Sequence, residues 1–226
     1  STLKEMLAAA KELGFEYCAI CDHSKSAFYA NGLTEERILK QNEELKKLAD
    51  ETGITAFLGI ESDILPDGNL DYSDDFLSTL DFIVASVHSN FKMSEDEMTN
   101  RIIKAVENPF TDLLGHPTGR LLLSRDSYKL NIKKVIDACS ANNVAIEINA
   151  NPYRLDLDWR MVFYAREKGC LLSINPDAHS VDEINYLQYG IKIARKAGVQ
   201  KNEVINCFDK KSFVKFLNRK VKRSLK

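Results

Sequence analysis

Asp177 and His179 stand two residues apart, just beyond the apolar run Leu171-Leu172-Ser173-Ile174. In an extended backbone, side chains at i and i+2 point the same way. The pair therefore offers an oxygen and a nitrogen ligand side by side, which is how a transition-metal site begins. The arrangement recurs along the chain. Phe57-Leu58-Gly59-Ile60 runs into Glu61, Phe82-Ile83-Val84-Ala85-Ser86-Val87 into His88, Leu113-Leu114-Gly115 into His116, and Cys18-Ala19-Ile20-Cys21 into Asp22-His23. Each of the four histidines closes such a run. One histidine in that place is more often a hydrogen-bonded structural residue. Four of four, beside Glu61 and Asp177, point to a metal centre.

His23, Glu61, His88, His116, Asp177 and His179 exceed the ligands of one tetrahedral zinc site. Two or three divalent ions sharing carboxylates fit the number better, and ions about 3.5–4 Å apart clamp both oxygens of a phosphoester displacement. Such ions also lower the pKa of water towards neutrality. Glu61, with two oxygens to share, is the bridging candidate. Asp22 points to the opposite strand face, as a supporting or helix-capping residue.

The elements that must carry these residues alternate. Helices are expected over 3–13, from the Thr34 cap to Gly53, from the Ser94-Glu95-Asp96-Glu97 capping box to about Val106, and over 131–142, 158–168 and 182–197. A basic amphipathic helix is expected over 210–226. Strands fall at 15–21, 55–60, 82–87, 112–115, 144–148 and 171–174, with Pro66-Asp67-Gly68 as a turn. Strand–helix alternation means a parallel sheet with crossover helices. Polar residues at the C-terminal ends of strands suit a parallel barrel. An open doubly wound sheet lacks support here, because neither a Gly-x-Gly-x-x-Gly fingerprint nor a P-loop is present.

At 226 residues the chain reads as one domain, 1–226. A net charge of −2 gives no global pull towards nucleic acid or a membrane. No apolar run reaches the roughly 20 residues of a bilayer span. No secretory signal is visible, so a cytoplasmic location is expected. The five cysteines include Cys18-x-x-Cys21, but both lie in a strand run without a second pair, and buried free thiols are the expectation.

Outside the ligand set, Arg120, Arg154 and Lys25 sit in loops after strands, where a cation can grip a phosphate. The alternatives are a surface ion pair or a loop-fixing hydrogen bond. Phe28 and Tyr29 could stack on a base, although packing of their loop onto the barrel is the expected role. Asn149 and Asn151 are expected to fix their loop. The basic tail around Lys215–Arg223 reads as a solvated face, with a nucleic-acid contact as the alternative.

Cys21-Asp22-His23-Ser24, Gly59-Ile60-Glu61, Ser86-Val87-His88-Ser89, Gly115-His116-Pro117 and Asn175-Pro176-Asp177-Ala178-His179 resemble successive motifs of the PHP (polymerase and histidinol phosphatase) family. More narrowly, Gly115-His116-Pro117-Thr118-Gly119-Arg120 and Glu147-Ile148-Asn149-Ala150-Asn151-Pro152-Tyr153-Arg154-Leu155 resemble the C-terminal PHP domain of bacterial family X DNA polymerases. The resemblance implies a distorted (β/α)7 TIM-like barrel with a trinuclear zinc, manganese or iron site. In it Glu61, His88, His116 and Asp177 serve paired metals, and His23 and His179 the third. The family opens with a strand bearing His-x-His, a further His and a Ser-Asp-Gly turn. This chain begins at Ser1-Thr2-Leu3-Lys4-Glu5-Met6, similar to the helix after that turn. An N-terminally truncated fragment lacking the first strand, with two exposed sheet edges, is therefore expected. The implied activity is phosphoester hydrolysis on DNA: 3′–5′ exonuclease, 3′-end processing or abasic-site cleavage within a family X polymerase. The alternatives are a small phosphatase of the histidinol-phosphatase type, or an inactive structural module.

Overall fold

A computed structural model describes residues 1–220. The strands are β1 (Tyr17–Ile20), β2 (Thr55–Asp63), β3 (Phe82–Ser86), β4 (Leu113–Leu114), β5 (Ala145–Asn149) and β6 (Leu172–Asn175). They form one parallel sheet in the order β1-β2-β3-β4-β5-β6. Every crossover therefore steps the same way, which curls the sheet towards a barrel. The helices are α1 (Leu3–Glu12), α2 (Glu35–Thr52), the short α3 (Asp74–Leu77), α4 (Glu95–Glu107), α5 (Ile132–Ala141), α6 (Trp159–Glu167), α7 (Leu187–Lys196) and α8 (Lys210–Leu217).

Local chemistry sets the helix ends as expected. Thr34 caps α2 through Arg37 N, and Gly53 ends it at φ 65°. Ser94 and Glu97 close a capping box on α4. Two boundaries differ from expectation. The 182–197 segment divides into a 3-10 turn, Asp182–Tyr186, and α7. β2 runs three residues further than its apolar stretch, because Glu61, Ser62 and Asp63 pair with Val84, Ala85 and Ser86 of β3. The helix expected over 210–226 is seen as α8, and residues 221–226 lie outside the described residues.

The period of two along each strand divides the molecule into an outer and an inner core. Leu58, Ile60, Ile83, Ala85, Leu114, Ile146, Ile148, Leu172 and Ile174 face outwards and pack with the surrounding helices. Phe57, Phe82, Val84, Leu113 and Ala145, with Tyr17, Ala19, Cys21 and Leu171, face inwards and pack on Phe213, Phe216 and Leu217 of α8. The inward residues at the N-terminal ends of the strands are thus sealed by one helix. Farther along the interior the side chains shrink. A Cβ on Gly115 would lie 2.4 Å from Ser86 Oγ and 2.8 Å from Val84 Cγ1.

The barrel is incompletely closed between β1 and β6, and one edge is already covered. Val204 bridges Leu172, and the Asn206 amide bonds Ile174 N (2.8 Å) and Ile174 O (2.9 Å) as a neighbouring strand would. The same segment reaches β1, where the Tyr17 hydroxyl donates to Phe208 O at 2.8 Å. No helix of the described residues is long and apolar enough to cross a membrane. All five cysteines are free; Cys139 and Cys170 are buried, Cys18 and Cys21 half-buried, and Cys207 is exposed, unlike the buried thiol expected.

Candidate metal centre

The inward register that carries aromatic rings at one end of the strands carries ligands at the other. His23 lies two residues beyond inward Cys21, and Glu61 four beyond Phe57. His88, Glu147 and Asp177 fall on the same parity of β3, β5 and β6. His23 and Glu61 pair as a parallel bridge.

Glu61 divides its two oxygens. Oε2 lies 3.1 Å from His23 Nδ1. Oε1 lies 3.0 Å from His116 Nε2 and 3.4 Å from His88 Nε2. The two Nε2 atoms are 3.2 Å apart. His23 Nδ1 is buried and, despite its distance from Oε2, lacks the angle for a hydrogen bond to it. Lone pairs of nitrogen and oxygen thus converge on one spot, and a cation satisfies them better than protons do. Among the described residues, His23, Glu61 and His88 form the group able to hold an ion, with one ligand atom from each within 4.8 Å of the others.

Electrostatics agree with a cation site. Burial opposes the Glu61 carboxylate, but hydrogen bonds from His116 and His88 hold it well below the usual carboxylate range. Burial likewise opposes a charged His88, yet hydrogen bonds to Asp63 and Glu61 raise it to about 9. Burial lowers His23. Glu61 is thus ionised before any ion arrives.

Two buried carboxylates were not singled out as site residues from the sequence. Asp63 accepts from His88 Nδ1, which turns Nε2 towards Glu61. Glu147 accepts from His116 N at 2.7 Å, from Asn175 Nδ2 at 2.7 Å and from Asn149 Nδ2 at 3.2 Å. Burial pushes it up to about 7. For Glu147 inward parity was the available signal: a charged residue on the interior face of an otherwise apolar strand.

His116 departs from that parity. Gly115 occupies the inward place, and a φ of 24° at His116 turns its imidazole back into the centre. Asp177 also has positive φ, 53°. Its Oδ2 receives Asn149 Nδ2 at 3.0 Å and Arg154 Nε at 3.3 Å. His179 stands at the rim with a side chain 63% exposed and a ring 6.2 Å from that of His23. Its Nδ1 donates to Asp177 O, leaving Nε2 as an acceptor. Asp22 faces α2 and accepts from Gln41 Nε2.

The three cations expected to meet phosphate are placed differently. Arg154 reaches the site, and its buried Nη1 has no hydrogen-bond partner. Arg120 bonds the carbonyls of Arg154 and Leu155, so it fixes the loop that presents Arg154. Lys25 pairs with Glu35 at 2.7 Å and lies over the Tyr72 ring. Asn151 fixes its own loop by accepting from Tyr153 N. Phe28 and Tyr29 do not pack onto the barrel as expected; they are 88% and 72% exposed.

The comparisons with known proteins agree with this geometry. DNA polymerase/3′-5′ exonuclease PolX of Bacillus subtilis (strain 168) is 39% identical over 219 residues, covering 96% of this chain and 38% of that protein. A probable phosphatase of Vibrio parahaemolyticus is 28% identical over 96% of this chain and 87% of its own length. One from Thermoanaerobacter sp. (strain X514) is 29% identical over 68% of this chain and 64% of its own length. The chain thus spans well under half of the polymerase and just under two thirds of the Thermoanaerobacter protein. In fold it is similar to the crystal structure of histidinol phosphate phosphatase from Lactococcus lactis subsp. lactis, complexed with zinc, L-histidinol and phosphate. The TM-score is 0.57 at 14% identity, over 88% of this chain and 89% of the other. The family model described as PHP domain matches residues 1–151, two thirds of the sequence and most of the ligand-bearing strands, and the chain belongs to the PHP domain family.

Proposed function

We propose that this chain is a single PHP domain of a family X DNA polymerase and a metal-dependent phosphoesterase acting on DNA 3′ ends. The observation that carries the reading is the His23–Glu61–His88 cluster in a chain 39% identical to a polymerase/3′-5′ exonuclease across 96% of its length. The two oxygens of Glu61, one near His23 and the other near His88 and His116, would let these residues hold more than one ion. We assign Asp177 and His179 to the same centre, with zinc, manganese or iron as the ions and a cytoplasmic place of action.

Bound divalent ions supply an activated water and offset charge at phosphorus. The chain's own residues do the rest. Asp63 holds the His88 tautomer, Glu147 fixes the backbone of His116, and Asn149 orients Asp177. Arg154, presented by Arg120, offers its free Nη1 to a phosphate oxygen. Lys25, paired with Glu35, would have to exchange that partner to meet a phosphate. In exonucleolytic cleavage a water oxygen bonds to phosphorus and the bond to the upstream 3′ oxygen breaks. That oxygen takes a proton, and a nucleoside 5′-monophosphate leaves.

The second reading is a small-molecule phosphatase, favoured by the probable phosphatases that match most of this chain. A direct test incubates the manganese- or zinc-loaded chain with a single-stranded oligodeoxynucleotide and, separately, with histidinol phosphate. Stepwise 3′ shortening that disappears in Glu61→Gln supports the DNA reading. Hydrolysis of the small ester alone replaces it with the second. Turnover of neither, with metal bound, leaves the domain a structural module. Arg154→Ala is expected to weaken substrate binding more than metal binding.

A further inference from the structure

We propose that Phe28 and Tyr29 form a base-stacking platform at the mouth of the metal centre, and that its occupant is the unpaired end of a single-stranded nucleic acid. The inference rests on the phosphoesterase reading and adds to it how the substrate is held. The Tyr29 ring lies 6.0 Å from the His23 ring and 6.4 Å from the His88 ring. Phe28 precedes Tyr29 on the same turn and is exposed to solvent.

This turn is a rigid mount. Asn31 N bonds Phe28 O, Gly32 N bonds Ala27 O, and Asn31 closes the turn at φ 53°. Arg37 Nη1 ties Asn31 O and Gly32 O, each at 3.0 Å. Ser26 N is held by Asp71 at 2.7 Å, and Ala27 is fully buried as the anchor. Leu33 N bonds His23 O, so the platform is fastened to the backbone of a metal-ligand residue. Gly32 is required there, because a Cβ would fall 1.9 Å from Ser24 O.

Scattered exposed apolar side chains are ordinary. Two adjacent rings on a braced turn, opening onto a site for phosphate chemistry, match how single strands are bound: stacking on aromatic faces beside a positive groove. Arg154 supplies a cation at the same centre, its Nε 3.3 Å from Asp177 Oδ2 and its buried Nη1 without a hydrogen-bond partner. Phe28 also borders an open cleft of about 460 Å³ with Lys25, Asn31 and Thr34, whose polar groups can meet base edges. A small phosphate ester held at the metals has no run of successive bases to lay along the two rings. Duplex ends keep their bases stacked on one another and gain little from a ring.

The test compares the metal-loaded chain's affinity for a short oligodeoxythymidylate with its affinity for an abasic oligomer of equal length and charge. The parent should prefer the oligomer with bases. Phe28→Ala and Tyr29→Leu should each reduce that preference by about 5- to 150-fold, the range of one stacked base. Tyr29→Phe, which keeps the ring, should retain it. Equal affinity of the parent for both oligomers, or a preference unchanged in the double variant, overturns the platform. Metal-dependent hydrolysis is scored on the same proteins. Its presence without a base preference defeats the platform alone, whereas its absence with the preference intact defeats the phosphoesterase reading alone.

Discussion

The two ends of this barrel are built from one inward face of the same strands, yet they have opposite chemistry. At the N-terminal end the face presents Tyr17, Phe57 and Phe82, stacked and edge-packed around Phe213 of α8. At the C-terminal end it presents His23, Glu61, Asp63 and His88, with their polar atoms converging. The first end is satisfied by burial alone. The second is a set of desolvated charges and lone pairs, which costs stability and is concentrated at sites that bind or react. Stability and function are thus separated along the strand axis, and a single strand such as β2 contributes Phe57 to one and Glu61 to the other.

Substitutions at the two ends should therefore fail differently. Glu61→Gln should abolish metal binding and metal-dependent hydrolysis while α8 remains packed; retained stoichiometric metal in elemental analysis would remove Glu61 from the centre. Phe213→Ala should cost about 3–5 kcal/mol of stability with metal affinity per folded molecule unchanged. Chemical denaturation and metal titration on the same sample measure both, and a parallel loss of affinity would mean the ends are coupled. Asp63→Asn should weaken metal binding by about 10- to 100-fold, since the amide holds His88 without the charge.

The smallest effect is on pH. His88 is raised from 6.5 to about 9, so in the metal-free chain it is protonated through neutrality. An ion must displace that proton. Affinity should rise with pH until about 9, with roughly one proton released by this residue. Glu61, already ionised, adds none. Calorimetry in buffers of different ionisation heat counts the protons, and a count of zero places His88 outside the ligand set.

Much of this was legible in the sequence. Strand–helix alternation, the caps at Thr34 and Ser94, and ligands at the ends of apolar runs are local patterns, and they carry the fold class. Asp63 was not legible as a site residue, because it lies beyond the apolar stretch of β2 and only pairing with Ser86 keeps it in the strand. Arg120 and Arg154 look alike as loop cations. Only the loop-to-loop hydrogen bonds separate the one that positions from the one that reaches. Phe28 and Tyr29 looked like packing residues because ring type says nothing about whether a surface is available to cover the ring.

The sequence by itself determined which residue types face the barrel interior, because side chains alternate across a strand with a period of two. It therefore determined that histidines and carboxylates would gather at one end. The tertiary structure decided which of them touch. Parallel pairing sets His23 beside Glu61, positive φ returns His116 to the centre against its parity, and the curl of the sheet brings β4 and β2 close enough for His116 and Glu61 to meet. Those are distances across the sheet, and no spacing along the chain encodes them.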